Sequence, residues 1–254
     1  MTLSFSPIDR LDGQVAVITG GTGAIGAATA MRLAALGARI VLLHRGSLDK
    51  SALLLSTLPG SGHGALIASV TDSAQLAQAA QEVADHYGPA TILVNCAGHT
   101  KPIPAANLDA LDDALIDEMF AANWRGTFAT IRAFVPQMQA TGDALIVNVS
   151  SIAANTGLGS NLAYAAAKAG IDALTKGLAK TLAPKIRVLA VSPGVVDSPF
   201  VSGRDAQFNA KTGATIALQR VGNPDDVAAA IAACCTSLRY ATGSIFTVDG
   251  GRHL

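Results

Sequence analysis

QVAVITGGTGAIGAATAMRLAALGARIVLLHR, residues 14–45, decides the fold. Gln14 to Thr19 is a short apolar run that reads as a strand. Gly20-Gly21-Thr22-Gly23-Ala24-Ile25-Gly26 follows at once, and the residues after it carry apolar positions at helical spacing up to a glycine stop at Gly37. ARIVLLHR then reads as a second strand. Strand, glycine turn, helix, strand is the context in which a glycine pattern has a purpose. Glycines let the backbone turn tightly and approach a pyrophosphate, which sits on the helix N-terminus.

The same alternation continues to the end. Leu48 to Leu58 reads as a helix closed by Pro59-Gly60, GALIAS as a third strand, and Thr71-Asp72 as the cap of a helix running to about Tyr87. TILVN is a fourth strand ending in Asn95-Cys96-Ala97-Gly98. Leu108 to about Met138 reads as mostly helical, two helices meeting near Asn123. ALIVNVS is strand five, Asn161 to about Leu182 a long helix, IRVLAVS strand six, and SIFTV the last strand. Asn223-Pro224 opens a helix with proline in its first turn. Val195 to Leu218 has no strong periodicity, and a loop of that length inside a compact domain is read as a substrate lid, at about 195–218. Strands alternating with helices predict an α/β fold, a doubly wound parallel sheet of about seven strands, Rossmann-like, with helices on both faces. We expect one domain spanning residues 1–254.

The totals narrow the function. Half of the 254 residues are hydrophobic and 14% are charged, with formal net charge zero. That composition supports a large core, and the absence of a basic block argues against nucleic acid or an anionic membrane as partner. Cys96, Cys234 and Cys235 fit no metal spacing and read as free thiols of a reducing compartment, so the expected location is cytoplasmic. The N-terminus lacks the charged-then-apolar pattern of a signal peptide, and no apolar run is long enough to span a bilayer.

The chemistry is carried by SIAANTGLGSNLAYAAAK, residues 151–168. Tyr164 and Lys168 are one helical turn apart and share a face. A phenol with a pKa of about 10 is a poor acid or base at neutral pH, and a nearby cation is expected to lower it. Ser151 follows the apolar run of the fifth strand and supplies a rigid hydroxyl donor. The three suit moving a proton on or off an alcohol oxygen.

These residues together resemble the short-chain dehydrogenase/reductase family, in its subgroup of about this length. Thr19 to Gly26 is similar to its TGxxxGxG turn, with Ala24 in place of the middle glycine. Asn95-Cys96-Ala97-Gly98 resembles NNAG, Ser151 with Tyr164 and Lys168 the catalytic serine and YxxxK, Pro193-Gly194 with Ser198 the PG motif, and Val248 to Gly251 the closing VDGG. The resemblance implies a nicotinamide-dependent oxidoreductase of a small-molecule carbonyl or secondary alcohol. It makes Tyr164 the general acid or base, Ser151 the donor to the substrate oxygen, and Lys168 the group that lowers the tyrosine pKa and holds the nicotinamide ribose. Asn123 with a water extends the proton path. The expected cofactor contacts are Gly20, Thr22, Gly23, Ala24, Ile25, Gly26, His44, Arg45, Ser69, Val70, Asn95, Ala97, Gly98, Tyr164, Lys168, Pro193, Gly194, Val196 and Ser198, with no metal. It also implies a homotetramer, with a dimer as alternative; the apolar helix around Ile231 fits such self-association.

Cofactor choice turns on the end of the second strand. An NAD site places Asp or Glu there. His44 and Arg45 stand there instead, so NADP is expected, with NAD the alternative, and with Ser47 as a further donor. Two other functions compete. A cofactor-sensing regulator would bind without turnover, and a nucleotide-sugar epimerase or dehydratase would carry an extra substrate domain. Ile103, Leu158, Leu162 and Phe200 suggest an apolar substrate pocket, and no basic cluster is evident in the sequence.

Overall fold

The computed structural model describes residues 10–46 and 48–254. β1 (Val15–Thr19), α1 (Ala24–Ala35) and β2 (Arg39–His44) form the first unit, followed by α2 (Leu48–Thr57), β3 (Gly64–Ile67), α3 (Ser73–His86) and β4 (Ile92–Asn95). Then come α4 (Asp113–Phe120), a π-helical turn (Ala121–Arg125), α5 (Gly126–Thr141), β5 (Ala144–Val149), the short α6 (Ala153–Thr156) and α7 (Leu162–Leu182). The chain closes with β6 (Ile186–Pro193), α8 (Ala206–Gly213), α9 (Pro224–Cys235) and β7 (Ile245–Val248).

The seven strands pair in the order β3-β2-β1-β4-β5-β6-β7, every pairing parallel. Both faces are covered, so strand residues are apolar without alternation. Ala16 and Ile18 join the core under α1 and α9, with Ile40, Leu42, Val94, Val147 and Val191. Val15 and Val17, one residue out of phase, join the opposite core with Val41, Leu43, Leu93 and Ile146, under α3, α5 and α7. Sequence order reverses between β1 and β4, and the loops leaving those strands part there. A crevice opens at such a switch point beyond the carboxyl ends of the strands.

Helix ends follow the sequence. Asp72 caps α3 by accepting from the amides of Ala74 and Gln75, Asn161 caps α7 through the Tyr164 amide, and Asn223 caps α9 in a reciprocal box with Asp226. Three readings need correction. The helix expected from Leu108 begins at Asp113, where Asp112 accepts from the Leu115 amide. The expected lid contains a helix, α8, because Asp205 accepts from the Phe208 amide at 2.8 Å and starts one. Ile231 is fully buried in the core shared with α1, so its apolarity is used inside the chain and says nothing of self-association.

Candidate active site

The crevice is a cavity of about 1010 Å³ along the carboxyl ends of the strands. Its floor at β1 is made by close approach. Gly20 has φ +63°, and a Cβ there would sit 2.9 Å from Ala97 Cα; a Cβ on Gly26 would sit 2.4 Å from the Gly20 carbonyl oxygen. Any side chain at either position would push the turn open. Ala97 donates its amide to Thr19 Oγ1 at 3.1 Å, which ties the fourth-strand loop to the first. α1 starts from Gly23 with no side-chain cap and no acidic residue in its first turn, so its amide end faces the cavity uncompensated. At the other side of the crevice a Cβ on Gly194 would meet Asp249 Cβ at 2.6 Å. This glycine-lined cradle, open at a helix N-terminus, fits the pyrophosphate of a dinucleotide.

Of the expected contacts, Gly20, Thr22, Gly23, Ala24, Ile25, Gly26, His44, Arg45, Val70, Ala97, Gly98, Ser151, Tyr164, Lys168, Pro193, Gly194, Val196 and Ser198 line the cavity. Ser69, Asn95 and Asn123 do not line it; Asn95 and Asn123 are buried, and Ser69 is partly exposed. Ser69 shares a hydrogen bond with Thr71, which does line the cavity. Asn95 donates to Asn148 Oδ1 at 2.9 Å, and Asn148 to Thr175 Oγ1 at 3.0 Å, a buried chain that locks β4 and β5 to α7. Val196 sits in a single bridge to Gly222 made by the groups of Val195 and Asp197, to which it contributes no backbone group itself. Ser47 lies outside the described residues.

Tyr164 and Lys168 rise from the first two turns of α7 against the end of β5, both buried. Lys168 Nζ donates to the Val149 carbonyl at 2.7 Å and lies 5.7 Å from the Tyr164 ring centroid. Burial lowers the Lys168 pKa to about 8, against the opposing pull of Cys96 and Asp172. Burial also raises the Tyr164 pKa to about 12, while the nearby Ser151 hydroxyl and the charge of Arg204 act to lower it. Arg204 is thus a second cation that acts on the phenol besides Lys168, and desolvation outweighs its effect.

Asn123 stands in the π-helical turn, a local widening often found at functional sites. Its Nδ2 donates to the His99 and Met119 carbonyls, at 3.0 and 2.9 Å. Its Oδ1 is buried without a donor and faces Gly98, where a Cβ would sit 2.6 Å from it and 4.0 Å from Lys168 Nζ. The glycine thus keeps a gap between the amide oxygen and the ammonium.

The four residues expected to form an apolar substrate pocket fall in two places. Leu158 and Phe200 line the cavity, but Ile103 and Leu162 line a separate small pocket. His99 lines the cavity and bonds Glu118 at 2.8 Å. Arg204 and Arg252 both line it, which corrects the reading that no basic cluster exists. Nothing in their spacing signalled this, since they come from separate segments. Among the described lining residues Arg45, Lys168, Arg204 and Arg252 appear and no Asp or Glu does. At the end of β2, His44 is buried with neither ring nitrogen hydrogen-bonded among the described residues, and burial pushes its pKa down. Arg45 beside it is exposed.

Among the described residues no helix is long and apolar enough to cross a membrane, and no cluster of His, Cys, Asp and Glu could hold a metal. A family model described as enoyl-(acyl carrier protein) reductase matches residues 21–253. A cis-4-hydroxycyclohexanecarboxylate dehydrogenase of Sinomonas cyclohexanicum is 36% identical over 244 residues, covering 94% of this chain and 96% of that protein. A 3-oxoacyl-(acyl-carrier-protein) reductase of Thermotoga maritima is 34% identical over 247 residues, covering 95% and 98%. The crystal structure of a dehydrogenase/reductase from Sinorhizobium meliloti is similar with a TM-score of 0.88 at 32% identity, covering 97% of each chain.

Proposed function

This chain belongs to the short-chain dehydrogenase/reductase family and is a nicotinamide-dependent oxidoreductase of carbonyl or alcohol substrates; from that premise we propose that Tyr164 is its proton donor and acceptor and that its cofactor is NADP. The cofactor, when bound, supplies the hydride for carbonyl reduction or takes it in alcohol oxidation. The chain's own task is to orient the reactants and handle the proton.

The observation that carries the reading is the buried phenol of Tyr164 in one cavity with the Ser151 hydroxyl and Lys168. In reduction, the Ser151 hydroxyl donates to the carbonyl oxygen as negative charge develops there, and the Tyr164 hydroxyl delivers the proton. In oxidation the proton returns to Tyr164. Lys168 would hold the nicotinamide ribose. A water between Asn123 Oδ1 and Lys168 Nζ would carry the proton onward, and the acceptor without a donor facing the gap at Gly98 supports that path. Ser69 and Asn95 act as supports of the cofactor site rather than as contacts.

The buried His44, unpaired among the described residues, beside the exposed Arg45 supports NADP over NAD, because no carboxylate is there to repel a 2′-phosphate. We take residues 195–218 as the substrate lid of a one-domain protein, with Phe200 6.0 Å from the Tyr164 ring. The free thiols Cys96, Cys234 and Cys235 support a reducing, cytoplasmic setting. We take the assembly as a homotetramer built on α5, α7 and the C-terminal segment, with a dimer as alternative. The half-buried stack of Trp124 on Phe128, at 5.9 Å, lies beside that surface.

The test is NADPH oxidation against a panel of carbonyl compounds. Tyr164→Phe is expected to lower turnover by a factor of about 10² to 10⁴ with cofactor still bound. Near-normal turnover in the variant removes the tyrosine from the mechanism, and binding without turnover across the panel in the wild type favours a sensor.

A further inference from the structure

We propose that the substrate is an oxo or hydroxy acid whose carboxylate is held by Arg204 and Arg252 beside Tyr164. The proposal rests on the reading of Tyr164 as the proton donor.

The two arginines are 48 residues apart in the last part of the chain. Arg204 precedes α8, and Arg252 lies in the turn after β7. The C-terminal turn is folded onto residues 216–218. The Leu218 amide donates to the Gly250 carbonyl at 3.1 Å. Gly250 and Gly251, both at positive φ, bring the backbone so near that a Cβ on either would lie 2.9 Å from Ile216 Cγ2 or Ala217 Cβ. This packing carries Arg252 to the cavity that Arg204 also lines.

The guanidinium of Arg204 is half-buried, yet no carboxylate or carbonyl among the described residues accepts from it. Its close partner is the Phe208 ring, 5.1 Å away. Burial and the like charge of Arg252 both act against its protonated state. A half-buried Arg204 beside a second cation, in a cavity that no described acid lines, is a cost to the folded chain unless a ligand brings the opposite charge. The planar fork of a guanidinium suits a carboxylate in particular, through two parallel hydrogen bonds.

Position tells which ligand brings that charge. The dinucleotide's phosphates have their cradle at the start of α1 and their extra cation in Arg45, at the other end of the crevice. Arg204 instead is close enough to Tyr164 to act on the phenol's ionisation. The anion therefore belongs to the molecule whose oxygen Tyr164 serves, a few atoms from the reacting centre, and not to the far end of a carrier arm. Leu158, Phe200 and Val201 line the cavity as apolar walls for the hydrocarbon between the two groups.

The test separates binding from turnover. Isothermal titration of the enzyme saturated with NADP⁺ compares cyclohexanecarboxylate with cyclohexanecarboxamide, which differ in charge and contain no reducible ketone. The acid is expected to bind about ten- to hundredfold more tightly, the range of a charged hydrogen bond. Arg204→Gln and Arg252→Gln should each erase most of that advantage and leave amide and NADP⁺ affinities unchanged. Arg252 is exposed, so its variant tests the idea even if Arg204→Gln fails to fold. Equal affinity for acid and amide in the wild type, or no binding of the acid, overturns the proposal. So does an advantage that survives both substitutions. Loss of NADP⁺ affinity in the variants would assign the arginines to the cofactor instead. Because titration needs no chemistry, an acid advantage without carbonyl turnover would sink the Tyr164 reading and leave the anion site standing.

Discussion

Replacing Lys168 by methionine is expected to stabilise the protein while removing its activity. Lys168 is 5% exposed, and its Nζ has a single protein acceptor, the Val149 carbonyl at 2.7 Å. Its pKa falls from 10.5 to about 8, and at about 1.36 kcal/mol per pH unit this is about 3 kcal/mol of unfavourable burial at neutral pH. Methionine has a similar volume and no charge. It leaves the Val149 carbonyl without its donor, which costs about 1–2 kcal/mol, so the net gain is about 1–2 kcal/mol, a few degrees in Tm. The pH dependence follows from the sign of the shift. The folded pKa lies below the unfolded one, so the cost is fully present below pH 8 and fades as pH rises toward 10.5. Between pH 7 and 9 the wild type should gain about 1 kcal/mol on the variant. Burial raises the thiols of Cys96 to about 12 and Cys234 to about 11, and pushes Cys235 up as well. Those shifts cost both proteins stability as pH passes 9, and they largely cancel in the difference below it. The assay is urea unfolding followed by Trp124 fluorescence at pH 7, 8 and 9, at one fixed protein concentration because association would shift the midpoint. A variant less stable than the wild type at pH 7, by a margin that does not move with pH, would refute the argument that a desolvated ammonium is held there for function at the expense of stability.

Two further outcomes are expected. Arg45→Ala should cut the ratio of kcat/KM with NADPH to that with NADH by roughly ten- to hundredfold, the share of one charged contact. A wild type that prefers NADH, or a ratio unchanged in the variant, would overturn the NADP assignment. Light scattering at micromolar concentration should give a mass about four times that of the 25.6 kDa chain, and a species of single-chain mass alone would end the tetramer proposal.

Local pattern was enough to read the fold because both of its signals are local. Continuous apolar runs mark strands covered on two sides, as in Val15–Thr19, and side-chain caps such as Asp72, Asn161 and Asn223 mark where helices start. Tyr164 and Lys168 were legible for the same reason, since i and i+4 share a helix face whatever surrounds them. The N-terminal part of α8 was missed because a single cap at Asp205 carries it, without apolar periodicity.

Tertiary structure decided the electrostatics. A pKa depends on what surrounds a group in space, so the sequence correctly paired Tyr164 with Lys168 but could not show that desolvation would dominate both of them. Nor could it bring Arg204 and Arg252 to one cavity. The placement of Arg252 depends on two glycines letting the C-terminal turn pack against residues 216–218, a contact made across the fold. Motif spacing records the groups that every member of such a fold needs for its shared chemistry, and those lie along one helix and the strand ends. The groups that face the substrate come from distant segments, and only the packed chain brings them to one cavity.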